Sequence, residues 1–229
     1  MIKAVIFDLD DTLYDYKSLN KVAIEKLSNF VNENLGVNND AFYLAFEKAR
    51  NDTKNHLGDV ASSHNRMIYF QKTLENLNIN PFSFSLEMYN FYWDYILENM
   101  KPYKYVMELF NFIKSSDIKI GICTDLTVRI QHKKIRKLGI GQYIDAIVTS
   151  EEAGREKPNR GIFEMILKKL EIDRQEVLYV GDNYDRDIVG AFDMGIKAVL
   201  YSSNNKKYDC EIIENHKQLM EIIDGENKK

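Results

Sequence analysis

The sequence predicts an α/β fold, a doubly wound Rossmann-like parallel sheet with an inserted all-helical cap domain. Three observations carry that prediction. Residues Ala4 to Phe7 form a short apolar run of the kind buried on both faces of a parallel sheet. From residue 118 onward, short Val/Ile runs alternate with helix-length segments, as βαβ units require. Between these regions, residues 16–100 lack strand alternation, and their apolar residues recur at helical spacing.

In the inserted segment, Leu19, Ala23, Leu27, Phe30 and Val31 share one helical face, and Phe42, Ala45, Phe46 and Ala49 share another. The runs MIYFQKTLENL and LEMYNFYWDYILENM continue the pattern. Tyr14–Lys17 and Asn99–Tyr103 are the expected linkers, which divides the chain into a core of residues 1–15 and 101–229 and a helical domain of residues 16–100. Beyond the second linker, 118–124 is expected as a strand and 127–138 as a basic helix ended by Gly139. A strand at 144–149, a helix at 160–170 and a strand at 176–181 follow. The helix at 185–194 stops at Gly195 and leads into a strand at 197–201. The closing CEIIENHKQLMEIID adds an edge strand and a final helix before a frayed tail.

Composition bounds the function. The 229 residues are 45% hydrophobic and 29% charged, an ordinary balance with ample material for a core. A net charge of −4 argues against nucleic acid or an anionic membrane as a bulk partner, but not against a small anion bound locally. The two cysteines, Cys123 and Cys210, make no disulfide framework or zinc spacing. No leader-like segment precedes the first strand and no apolar run approaches the length of a membrane span, so a cytoplasmic location is expected. Oligomeric state leaves no signature.

The chemistry gathers where strands end. In open parallel sheets, ligands bind beyond the carboxyl ends of the strands. Asp8 and Asp10 follow the first strand, Thr124 and Asp125 the second, and Asp182 and Asn183 follow EVLYVG, with Asp187 a turn later. Lys157 lies in REKPNR, a loop entering a helix. A row of buried carboxylates is unfavourable without a cation, and oxygen-rich sites of this kind suit Mg²⁺. The set fits phosphoryl transfer, for which enzymes supply accelerations of up to ~10²¹-fold. Asp8 can attack phosphorus, and Asp10 can protonate the leaving alcohol and then deprotonate water. Thr124 and Lys157 can hold the phosphoryl oxygens.

DLDDT fits the DxDxT motif of the haloacid dehalogenase-like (HAD) hydrolase superfamily, and Thr124, Lys157 and GDNYDRD follow in that family's order. The resemblance spans nearly the whole chain and sets residues 16–100 where subfamily I members carry a C1 helical cap. DAIVTSEEAGREKPNRGIF through MGIKAVL resembles the branch of phosphoglycolate-type, nucleotide and acylneuraminate 9-phosphate phosphatases. The resemblance implies Asp8 as nucleophile and metal ligand, and Asp10 as acid/base that gives Mg²⁺ its backbone carbonyl. It further implies Asp182 as a metal ligand, with Asn183 and Asp187 supporting that end of the site. Thr124, Asp125 and Lys157 fall at the phosphate, and Lys157 also orients Asp8. Asp125 departs from the family's commoner Asn or Gly. A carboxylate facing a phosphate is unfavourable, so its side chain is expected turned away or capping the next helix.

Plainer readings stand beside these. Asp11 and Asp15 read as turn residues, and Asp185 as a helix cap. His56, His64, His132 and His216 show no metal spacing and read as surface or satisfied core residues. The aromatic run from Phe82 to Tyr95 reads as core of the helical domain, and RIQHKKIRK as a solvated helix face. The function expected is a Mg²⁺-dependent phosphatase of a small phosphorylated metabolite. A sugar-phosphate mutase is the nearest alternative. A 2-haloacid dehalogenase would not need Asp10, and a receiver-like phosphoacceptor has no place for the helical insertion.

Overall fold

In the computed structural model, which describes residues 1–204 and 206–228, the chain divides into two compact units. One is Met1–Asp15 with Lys101–Lys229, and the other is Tyr16–Met100.

The first unit is built on a six-stranded sheet in the order β3-β2-β1-β4-β5-β6, every neighbouring pair parallel. Its strands are β1 (Ala4–Phe7), β2 (Lys119–Thr124), β3 (Ala146–Thr149), β4 (Val177–Gly181), β5 (Lys197–Tyr201) and β6 (Glu211–Ile213). Alternation along the pleat sends side chains to two cores. Ala4, Ile6, Cys123, Val148, Tyr179 and Leu200 join one cluster with Ile162, Phe163, Ile166 and Ala191 from the helices over that face. The opposite residue of β1, Phe7, meets Phe110 at 5.3 Å between ring centroids. Burial on both faces explains why β1 and β4 are apolar throughout. Because the chain runs from β1 toward β2 and β3 and then returns to place β4 on the other side, the sheet's switch point lies between β1 and β4.

The second unit is helical: α1 (Tyr16–Leu35), α2 (Asn39–Leu57), α3 (Arg66–Asn76) and α4 (Ser85–Asn99). α2 packs on α3, α1 on α4, and α3 on α4. Asn38 and Asn65 cap α2 and α3 by accepting backbone N–H bonds from Ala41 and Met67. Leu27, Phe42, Phe46, Phe70 and Tyr92 are buried between the helices. The aromatic run divides: Tyr92 and Trp93 are buried, whereas Phe82 is 94% exposed.

Among the described residues, six further α-helices belong to the sheet unit: α5 (Val106–Ser115), α6 (Val128–Leu138), α7 (Ser150–Ala153), α8 (Arg160–Leu170), α9 (Val189–Asp193) and α10 (His216–Asn227). A π-helical turn, Tyr184–Ile188, precedes α9 and stands where the pattern suggested a continuous helix. Asn183, not Asp185, caps that turn by accepting the Arg186 N–H at 3.1 Å. No described helix is long and apolar enough to cross a membrane.

Candidate active site

All of the candidate residues, with Asp11 and Arg186, line one cavity of about 210 Å³ at the carboxyl ends of β1, β2 and β4. Asp8 extends β1, its backbone N–H donating to the Val180 carbonyl at 2.9 Å. The chain then turns sharply, with Asp11 at φ +64° and the Leu13 N–H donating to the Leu9 carbonyl. That turn brings Thr12 Oγ1 to 3.4 Å from Asp8 Oδ2. His216, at the start of α10, closes the turn from behind, its Nε2 2.9 Å from the Thr12 carbonyl.

Lys157 is the hinge of the site's electrostatics. Its buried ammonium donates to Asp8 Oδ1 at 2.5 Å and to Asp187 Oδ1 at 2.6 Å, with the Tyr179 hydroxyl at 3.3 Å. Asp187 Oδ2 also accepts the Asn183 backbone N–H at 3.0 Å. Gly181 makes this approach possible, since a Cβ there would lie 2.4 Å from Asp187 Cγ. Asp8, Asp182 and Asp187 each offer a carboxylate oxygen within 4.8 Å of the others. One ammonium faces three carboxylates.

The proton affinities follow from that surplus of negative charge. Burial, with the Asp187, Asp182 and Asp10 carboxylates, holds Asp8 well above the usual carboxylate range against the pull of Lys157. Burial, Asp187 and Asp11 push Asp182 up to about 7. Burial works against the Lys157 charge, but Asp187 and Asp8 outweigh it and raise the lysine above its ordinary value. Three clustered carboxylates against one lysine leave the cluster short of positive charge. A divalent cation on oxygen ligands fits it.

Asp10 is held differently. Its carboxylate accepts from Lys134 Nζ at 2.7 Å on both oxygens and from the Tyr14 hydroxyl at 2.6 Å. Both carboxylate oxygens of Asp10 are engaged in this way, and Asp10 stands apart from the Asp8, Asp182 and Asp187 cluster. Lys134 is fully buried on α6, in the stretch expected to be a solvated face, and that expectation is corrected here. Gln131, one turn earlier, is also buried and donates to Thr124 Oγ1 and to the Asp125 carbonyl, both at 2.7 Å. Helical phase held the signal: Ile130, Lys134 and Leu138 fall four apart, on the face that packs inward.

Asp125 neither turns away from the cavity nor caps α6, whose N-cap is Thr127. Its Oδ1 accepts the Lys157 backbone N–H at 3.1 Å, and its Oδ2 lies 3.3 Å from Arg186 Nη1. Arg186 also reaches Glu156 at 3.2 Å. The carboxylate thus ties the loop after β2 to the Lys157 loop, and a neighbouring guanidinium makes its charge tolerable. Burial and Glu156 raise its pKa, with Lys157 and Arg186 opposing.

Residues 5–201 match the haloacid dehalogenase-like hydrolase family. The chain belongs to that family. It is 32% identical over 211 residues to the ribulose-1,5-bisphosphate 5-phosphatase of Halopiger xanaduensis, covering 90% of this chain and 87% of that protein. It is 27% identical over 233 residues to the glyceraldehyde 3-phosphate phosphatase of Methanocaldococcus jannaschii, covering 97% of both. Its fold matches that of a HAD phosphatase from Thermococcus onnurineus with a TM-score of 0.74, at 22% identity, over 98% of this chain and 99% of that one. The chain is a HAD-like hydrolase on a Rossmann-like sheet.

Proposed function

We propose that this hydrolase is a Mg²⁺-dependent phosphatase of small phosphorylated metabolites that works through an aspartyl-phosphate at Asp8. The single observation that carries the reading is the Lys157 ammonium shared by Asp8 and Asp187, with Asp182 completing the carboxylate cluster. The two relatives are named for a phosphorylated ketose and a phosphorylated aldose, which favours a short sugar phosphate as substrate.

Asp8, Asp182 and the Asp10 carbonyl would hold the metal, with Asp187 beside them. When bound, Mg²⁺ offsets the carboxylate charge and polarises a phosphoryl oxygen. Lys157, fixed between Asp8 and Asp187, orients the Asp8 carboxylate and presents positive charge to the phosphoryl group. Thr124, its hydroxyl held by Gln131, donates to a second phosphoryl oxygen. An Asp8 oxygen forms a bond to phosphorus as the P–O bond to the leaving alcohol breaks, and Asp10 delivers its proton to that alcohol. Water then attacks phosphorus, Asp10 takes its proton, and the Asp8–phosphorus bond breaks to release phosphate. Lys134 and Tyr14 keep Asp10 in place between the two half-reactions.

The test is hydrolysis of a panel of triose, pentose and hexose phosphates with and without Mg²⁺. Metal-dependent release of phosphate is expected, highest on a short sugar phosphate. Full activity in metal-free buffer would contradict the reading.

A further inference from the structure

Arg66 opens α3 and sets its guanidinium in a network of uncharged acceptors. Nη1 donates to the His64 carbonyl at 2.7 Å, Nη2 to the Tyr16 hydroxyl, and Nε to the Tyr92 hydroxyl at 3.4 Å. Those hydroxyls are bound in turn: Tyr16 and Tyr92 lie 2.9 Å apart, and Tyr92 donates to Asn20 Oδ1 at 2.6 Å. The rings of Tyr69 and Tyr92 lie 5.2 and 5.6 Å from the guanidinium carbon. Among the described residues, no carboxylate pairs with Arg66.

Arginine stays charged at every physiological pH. A partly buried charge without a counter-ion is unfavourable, and the helical domain fixes this one with three tyrosine side chains and a backbone carbonyl instead of neutralising it. Three of its five N–H donors are used, so Nη1 and Nη2 each keep one for a further acceptor.

Arg66 borders a cavity of about 540 Å³ enclosed by residues of the helical domain alone, a size typical of small-molecule sites. Lys21, Arg50 and Lys54 line it too, against Glu25 and Glu47. Glu47 is already engaged by Arg50 at 2.9 Å. The cavity is therefore positive in a chain whose net charge is −4.

We propose that this cavity is a second anion site, centred on Arg66, for a compact dianion such as a phosphate or pyrophosphate group. The anion is a free one, bound within the helical domain and independent of the phosphatase reading above.

Pyrophosphate titrated into the intact protein in resin-treated, metal-free buffer tests the site directly. Without metal, the carboxylates around Asp8 repel anions, and an Asp8→Asn control reports any binding there. The single tryptophan, Trp93, has its ring 5.0 Å from that of Tyr92 and supplies the fluorescence readout. Saturable binding is expected, weakened about tenfold or more by Arg66→Met and a few-fold by Lys54→Gln or Lys21→Gln. No saturable signal in the wild type, or equal affinity in Arg66→Met, overturns the proposal. Should Arg66→Met fail to fold, unchanged affinity in both lysine variants overturns it equally.

Discussion

The two units of this chain bury charge in opposite ways. In the sheet unit, three carboxylates cluster about one ammonium that pairs with two of them, and the shortage is of positive charge. In the helical unit, one guanidinium sits among hydroxyls and a carbonyl, and the shortage is of negative charge. Each imbalance is unfavourable to the isolated protein, and each specifies the sign of what binds there. Strand ends at a switch point supply the first arrangement. Helix faces packed around aromatic rings supply the second.

The largest effect expected lies at the carboxylates. Asp8→Asn should lower turnover by at least about 10⁴-fold, as loss of a covalent nucleophile does. The variant should stay folded, because it removes one of the mutually repelling carboxylates, and circular dichroism checks this. Activity near that of the wild type would end the comparison, since the cluster would then be only structural.

Asp10→Asn should cost ~10²–10⁴-fold with alkyl phosphates. The loss should shrink with nitrophenyl phosphate, whose leaving group needs no proton. An equal loss on both substrates would assign Asp10 to structure. Lys134→Met sharpens the point, because it leaves the Asp10 carboxylate short of its buried partner. It should destabilise the fold by about 3 kcal/mol and alter the pH profile of kcat, which a purely packing role would not do.

Much of the core site was legible because the signal is local. A buried strand that ends in DLDDT, and another that ends in GDN, place carboxylates at the sheet rim before any tertiary contact is known. Lys134 was hidden because a lysine in a basic helix resembles its solvated neighbours unless helical phase is followed. Asp125 is not legible locally, because its tolerance depends on Arg186, which lies 61 residues away in the chain. Arg66 was illegible for a similar reason: its partners come from α1, α4 and the loop before α3, and only packing brings them together.

Metal and pH give smaller, opposed effects. Asp182 has its pKa raised from 3.8 to about 7 in the metal-free fold, so the folded state binds that proton more tightly than the unfolded chain. The stability this supplies is present in full below about pH 4 and is lost as pH rises through about 7. Mg²⁺ should reverse the loss and raise Tm at pH 8, and Asp182→Asn should remove both the pH slope and most of the Mg²⁺ response. A Tm indifferent to Mg²⁺ would separate the cluster from metal binding.

His216 has the opposite sign. Burial lowers its pKa from 6.5 to about 4, outweighing the Thr12 carbonyl that favours the protonated ring, and the buried Nδ1 finds no hydrogen-bond partner among the described residues. Its contribution is present above pH 6.5 and is lost as pH falls through about 4. Compared with wild type, His216→Gln should flatten the unfolding free energy between those values by on the order of 1–3 kcal/mol. Parallel curves would mean that the loop carrying Asp8 and Asp10 does not depend on this contact.

The proposed catalytic cycle depends on Asp8 bonding to phosphorus. Acid quench of the enzyme during turnover, followed by peptide mass spectrometry, measures that bond directly. A phosphoryl group is expected on the peptide containing Asp8, most abundant in Asp10→Asn with nitrophenyl phosphate, where formation outpaces hydrolysis, and missing from Asp8→Asn. Turnover with no covalent species in Asp10→Asn, or a phosphorylated peptide elsewhere in the chain, would contradict it.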